Sequence, residues 1–275
     1  MADLFLLVLN DLYQRNNVSS RPPARDTIVR EYKHILSTGI FHLAEYNHQI
    51  VAIAGAVVRD KLWFLSAFWV HPDLQRQKAG MPLLRRVLDA GREAGASIFF
   101  TWSSIDTTAI AAYMKLGMLP GFQNFFFEGI PRNLSAIPAN YQVVQLEKSC
   151  AMSLDRQIRG TGRQPDHEFW LNGGKMLGRQ MIRNGKVTGY YYFGNGFVGP
   201  AAWKNPKDAL ILLYLSFRDS SEISPEVRIA VPGINHTAIK FAFESNLRLT
   251  GVTHYLSTES FGKMDQYLAS GPFLY

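Results

Sequence analysis

Gln75-Arg76-Gln77-Lys78-Ala79-Gly80 lies between an apolar strand pattern and an amphipathic helix pattern, and its chemistry is the easiest in the chain to read. The six residues are small or polar, and two are cations. They lead into a helix whose first turn contains Pro82, where a missing N–H costs nothing. The first N–H groups of a helix have no intrahelical partners and lie at the positive end of its dipole. Such a junction can hold a phosphate, or it can be a plain strand-to-helix connection. Cys150 is the only cysteine, and its neighbours Ser149 and Ala151 supply no base, so it is read as structural. A single cysteine allows no intramolecular disulfide, which fits a reducing, cytoplasmic setting.

The chain has 275 residues, enough for one large or two ordinary domains, and 47% of them are hydrophobic, enough for a full core. A formal charge of +7 suits anionic ligands. The basic residues are scattered, with Arg85-Arg86 the only adjacent arginine pair, so no nucleic acid partner is expected. The apolar run Leu4 to Leu9 is too short to cross a bilayer and no later run is long enough, so no membrane partner is expected either.

The elements that would hold the loop follow from periodicity. Residues 3–16 and 24–37 read as helices. Phe41–Glu45, Ile50–Val58 and Leu62–Val70 read as an antiparallel meander. Pro72 ends the third strand. From Met81, Leu83, Leu84, Val87, Leu88 and Gly91 recur at helical spacing, and the strand Ser97–Trp102 follows. Strand, crossover helix and strand imply a parallel pair. Asp106 can cap a helix that Gly117 ends, and Phe122–Glu128 is a further strand. Residues 131–140 read as a linker by their turn residues. The pattern then restarts, with strand 141–146, helices 150–159 and 164–171, and a hairpin around Asn184-Gly185. Strand 197–203, helix 206–218, strand 227–231, helix 235–244 and strands 249–256 and 264–275 complete it. The fold class is α/β with a mixed sheet. It forms two tandem domains, 1–130 and 141–275, each a mostly antiparallel meander with a central parallel pair and flanking helices.

The halves align as a repeat. Ala67-Phe68-Trp69-Val70-His71-Pro72 answers Ala201-Ala202-Trp203-Lys204-Asn205-Pro206 at an offset of 134 (203 − 69). Asp106-Thr107-Thr108-Ala109-Ile110 answers Asn235-His236-Thr237-Ala238-Ile239 at 129 (235 − 106). Leu83-Leu84 answers Leu212-Leu213, also at 129 (212 − 83). The register therefore drops by five between proline and helix, where the Gln75–Gly80 loop stands in the first half. The second half keeps the architecture and loses the loop.

On the meander, Val70-His71-Pro72-Asp73-Leu74-Gln75-Arg76-Gln77-Lys78-Ala79-Gly80 and Ala109-Ile110-Ala111-Ala112-Tyr113-Met114-Lys115-Leu116-Gly117-Met118, the first half resembles the GCN5-related N-acetyltransferase (GNAT) superfamily. Gln75 and Gly80 match the family's loop pattern, and Lys78 replaces its first glycine. The second half resembles a degenerate copy, with Ala242 in the place of Tyr113. The resemblance implies an acyltransferase that moves an acetyl group from acetyl-CoA, or another acyl group from its CoA thioester, directly to a small-molecule or peptide amine. No metal is expected, and the chain would be a monomer or homodimer. The alternative is an acyl-CoA-binding sensor without catalysis. Cofactor contacts are implied at Phe68, Val70, Gln75, Arg76, Gln77, Lys78, Ala79, Gly80 and Met81. Loop amides would hold the pyrophosphate, and strand amides near Phe68 and Val70 the pantetheine arm and the thioester oxygen. Tyr113 is the implied acid for the leaving thiolate. The general base is not assigned: Glu45, Asp60, Asp106 and Glu128 lie near strand ends, with a cap the better reading of Asp106. His71 is read as structural, and His167 as structural or part of an acceptor cleft. The chain lacks the family's opening strand, and Gly271–Tyr275 is a segment that could be exchanged between the halves.

Overall fold

The computed structural model describes residues 1–18, 22–75, 77, 80–134, 138–173 and 175–275. The chain forms two compact units, Met1–Leu119 with Leu256–Glu259, and Pro120–Tyr255 with Ser260–Tyr275.

The first unit opens with helices α1 (Ala2–Arg15) and α2 (Arg25–Thr38). Strands β1 (Ile40–Tyr46), β2 (Gln49–Arg59) and β3 (Leu62–Val70) follow as the expected meander. Among the described residues β1 is an edge strand of the sheet. Helix α3 (Gly80–Glu93) crosses over to β4 (Ile98–Ser103), which lies parallel to β3. α3 buries Leu83, Leu84, Val87, Leu88 and Gly91, the stripe that the spacing predicts. α4 (Thr107–Met114) is capped by Asp106, whose Oδ1 accepts from Thr108 N–H at 2.8 Å and Ala109 N–H at 3.3 Å. Gly117, at φ 89°, ends its last turn.

The second unit repeats this order, with a strand at Tyr141–Gln145 ahead of its helices. β5 (Leu119–Gly129) is followed by β6 (Tyr141–Gln145), α5 (Lys148–Ile158) and α6 (Gln164–Glu168), which runs into a π turn at Phe169–Gly173. β7 (Leu177–Arg183) and β8 (Lys186–Gly194) form the expected hairpin, with Asn184 and Gly185 both at positive φ, as a type I′ turn requires. β9 (Phe197–Trp203), α7 (Pro206–Ser221), β10 (Val227–Pro232), α8 (His236–Glu244) and β11 (Arg248–Ser257) follow. The strand expected over 264–275 is shorter. A 3₁₀ turn at Met264–Gln266 leads to β12 (Tyr267–Leu268), and the ladder ends there. The pairing with β9 stops at Leu268 because the next amide turns to the neighbouring strand, with Ala269 N–H donating to Ala230 O at 3.1 Å.

The fifth strands are exchanged between the units. β5, encoded in the first half, pairs antiparallel with β10 from Val227↔Gly129 to Pro232↔Asn124. Residues 256–259, encoded in the second half, bond β4. Thr258 N–H donates to Phe99 O at 2.9 Å, and Phe99 N–H to Thr258 Oγ1 at 3.0 Å. The exchanged segment is thus 256–259. Gly271–Tyr275, the expected candidate, stays in the second unit.

The second unit also buries an ionic cluster. Asp155 and Arg163 have fully buried side chains. Arg163 Nε bonds Asp155 Oδ2, the Tyr190 hydroxyl bonds Asp155 Oδ1, and Arg163 Nη1 donates to Tyr275 O at 2.8 Å. His167 Nε2 faces Asp155 Oδ2 at 3.0 Å, and its Nδ1 faces the Tyr192 hydroxyl at 2.9 Å. Burial alone would raise the Asp155 carboxyl, but Arg163 and His167 hold it well below the usual carboxylate range.

Candidate functional site

One residue shapes the site. Gly55 pairs with Ala67 and Ala56 with Leu65, so Ser66 is an extra residue in β3, a β-bulge. Bulges bend a strand and break its pairing. The parallel ladder with β4 runs from Leu62↔Ile98 to Leu65↔Thr101 and stops at that point. Thr101 Oγ1 donates to Leu65 O at 3.2 Å at the fork. Beyond it β3 continues to Val70 without β4, and the strands splay.

A cavity of about 600 Å³ opens along the splay. Its walls are Ser66, Phe68, Trp69 and Val70 of β3, Thr101 to Ser103 of β4, and Ala109, Ala112 and Tyr113 of α4. Gly80 and Met81, the first residues of α3, close one end, and Val8, Leu12 and Arg15 of α1 form a further wall. Among the described residues the charged groups lining it are Arg15, Asp106 and Lys115. With the positive end of α3 at the same wall, the cavity favours an anionic ligand.

Of the residues predicted to touch a cofactor, Phe68, Val70, Gln75, Gly80 and Met81 line this cavity, as does Tyr113. Gln77 is exposed, does not line it, and donates through Nε2 to Asp73 O at 2.5 Å. Arg76, Lys78 and Ala79 lie outside the described residues. Gln75 is pinned: its Nε2 donates to Val70 O at 3.0 Å, and its Oε1 accepts from Arg15 Nη2 at 3.5 Å. Gly80 stands where helix and strand nearly touch. A Cβ there would lie 2.9 Å from Phe68 Cζ and 3.1 Å from Val70 Cγ2. Gly80→Ala should therefore overpack this corner and cost about 1–3 kcal/mol, read from denaturant unfolding.

Tyr113 is buried, and its ring meets Phe68 edge-on at 6.1 Å between centroids. Burial, aided by the charge of Asp106, pushes its phenol well above the ordinary range, so the hydroxyl keeps its proton. Of the acidic residues considered as bases, Asp106 lines the cavity, and both its role as cap and its 3.6 Å approach to Arg15 Nη2 are structural. Glu45 lies 3.7 Å from His48, Asp60 occupies a turn at φ 49°, and Glu128 belongs to β5 in the second unit. His71 is structural, its Nδ1 accepting from Asp73 N–H at 3.4 Å. His167 is fully buried in the cluster with Asp155, which excludes a place on an open cleft. The wall formed by α1 has little trace in the sequence beyond Arg15, a cation at the end of a largely apolar helix.

The sequence pattern of the acetyltransferase (GNAT) family matches residues 6–118. That match covers less than half of the chain and lies within its first half. No curated protein sequence matches it. Among solved structures, a candidate acetyltransferase from Pyrococcus horikoshii is 16% identical, with a TM-score of 0.80 over 100% of this chain and 91% of its own. A tandem GNAT protein from the clavulanic acid biosynthesis pathway is 12% identical, with a TM-score of 0.61 over 93% of each chain. A GCN5-related N-acetyltransferase from Sphaerobacter thermophilus is 10% identical, with a TM-score of 0.65 over 93% of this chain and 90% of its own. At these identities the likeness is one of fold, and it extends the GNAT architecture over both halves. The family points to acyl transfer from an acyl-CoA. Among the described residues no helix is long and apolar enough to cross a membrane, and no group of three or more His, Cys, Asp or Glu could hold a metal.

Proposed function

We propose that the chain transfers an acetyl group from acetyl-CoA to an amine, in the splay between β3 and β4. The observation that carries this is the fork at Ser66, with Tyr113 on one wall and the α3 N-terminus at one end. The pantetheine arm would lie along β3 from Ser66 to Val70 as an added strand. The pyrophosphate would meet amides of the loop 75–80 and the first turn of α3, contacts that need backbone N–H alone. Gln75, Arg76, Gln77, Lys78, Ala79, Gly80 and Met81 make up that proposed pyrophosphate site.

In the reaction the amine nitrogen attacks the thioester carbon, and a β3 amide near Phe68 or Val70 stabilises the oxyanion. The C–S bond then breaks. Tyr113 gives its phenolic proton to the thiolate, and the nitrogen's extra proton leaves to water. Burial keeps Tyr113 protonated until the thiolate forms, and water then returns the proton to it. Val8, Leu12, Trp69 and Trp102 line the cavity, which favours an amine carried on an apolar or aromatic body.

Acetyl-CoA at about 100 times its Kd should stabilise the protein by about 2.7 kcal/mol. CoA release, followed as free thiol, should then depend on the amine offered. Binding with no release across a broad amine panel would replace the enzyme reading with that of an acyl-CoA sensor. Absence of binding would sink both.

A further inference from the structure

The second unit forks as the first does. β9 and β10 run parallel through only two pairs, Arg228↔Phe197 and Ile229↔Val198, and then part. The β8–β9 register also shifts beside the fork, between Tyr191↔Ala201 and Phe193↔Val198. In the first unit the corresponding opening lines the cavity. Here it is filled by the chain itself.

β12 lies antiparallel on β9, with Tyr267 opposite Ala202 and Leu268 opposite Ala201. The next residue reaches the other lip, where Ala269 N–H donates to Ala230 O of β10 at 3.1 Å. Three consecutive residues thus bridge the two parted strands, and all three are fully buried. Asn235, which answers Asp106 in the repeat, holds them from a third side. Its Oδ1 accepts from Ala238 N–H at 3.1 Å, keeping the cap on α8, while its Nδ2 donates to Tyr267 O at 2.9 Å. Asp106, a carboxylate, has no such donor. Gly199 permits the approach: it has φ 139°, and a Cβ would lie 2.2 Å from Ala269 O. Ala242, fully buried, stands where the first unit has Tyr113.

We infer that Tyr267–Ala269 is a built-in occupant of the second cofactor cleft. It takes the backbone hydrogen bonds an extended pantetheine amide arm would need, so the chain binds one acyl-CoA, in the first unit. The location of that single acyl-CoA rests on the function proposed above; the occupation of the second cleft does not. A tethered strand competes at a high effective concentration, so a free acyl-CoA would have to displace buried backbone bonds as well as bind.

Hydrogen exchange followed by mass spectrometry on the full chain, with and without saturating acetyl-CoA, tests this. Amides of 267–269 should exchange at least about 1,000-fold slower than in a free peptide, and acetyl-CoA should leave them unchanged. Peptides covering 62–70 should slow on binding, and native mass spectrometry should count one acetyl-CoA per chain. Asn235→Asp keeps the cap and removes the donor, so it should speed exchange across 264–272 about tenfold. Fast exchange of 267–269 in the free protein, a second bound acetyl-CoA, or a response of 264–272 to acetyl-CoA would overturn the inference. Protected 267–269 with no response at 62–70 would uphold the occupation of the second cleft and overturn both the single bound acyl-CoA and the proposed function of the first unit.

Discussion

Tyr113→Phe should lower kcat for acyl transfer by about 100- to 10,000-fold, the range that a positioned general acid contributes. The KM for acetyl-CoA should change little, because the ring and its edge-on contact with Phe68 remain. The thermal midpoint should stay near that of the parent chain. Steady-state CoA release and a melting curve check both. Because burial and the charge of Asp106 raise the Tyr113 phenol, loss of its proton should not set an alkaline limb in kcat below about pH 10. Unchanged turnover in the phenylalanine variant would remove Tyr113 from the chemistry and leave solvent to protonate the thiolate.

Asp155→Asn should be the most destabilising single change in the second unit, at about 3–5 kcal/mol, because it strands the buried guanidinium of Arg163. Arg163→Met should cost a similar amount. The pair changed together, Asp155→Leu with Arg163→Met, should recover part of the loss, since removing both charges leaves neither unpaired. Denaturant unfolding of the three variants measures this. The pH dependence has a definite sign. Asp155 is held below its unfolded value, so its contribution is full above about pH 4 and lost as pH falls further. Tyr190, Tyr192, Tyr267 and Tyr275 are pushed up, first of all by burial. Their contribution is full below about pH 10 and is lost as pH rises beyond it. A stability plateau bounded on both sides is the expected profile.

Much of the fold could be read from apolar spacing. The meander, the α3 stripe and the Asn184-Gly185 hairpin fall where their periods and turn residues place them, because each is decided by local sequence. The repeat was legible through pairs such as Trp69 and Trp203, which lie at or one residue from the ends of equivalent strands. Which segments are exchanged was not, since a register offset cannot tell which copy of a strand pairs with which sheet. Ser66 carries no mark of a bulge in its type, and the fork depends on a register that only the paired strands reveal. The buried cluster left one overlooked signal: Asp155 falls on the same α5 face as Ala151, Leu154 and Ile158, and a carboxylate on an apolar stripe announces a partner.

The exchange of the fifth strands has a kinetic consequence. Phe99 on β4 finds its bonding partner Thr258 at a separation of 159 residues. The first unit therefore cannot close its sheet while only its own half has been synthesised, and β4 waits with one edge bare until residues 256–259 emerge. The unit made first is finished last. The slow step in folding this chain should be that long-range closure, with the exposed β4 edge the place where aggregation competes with it.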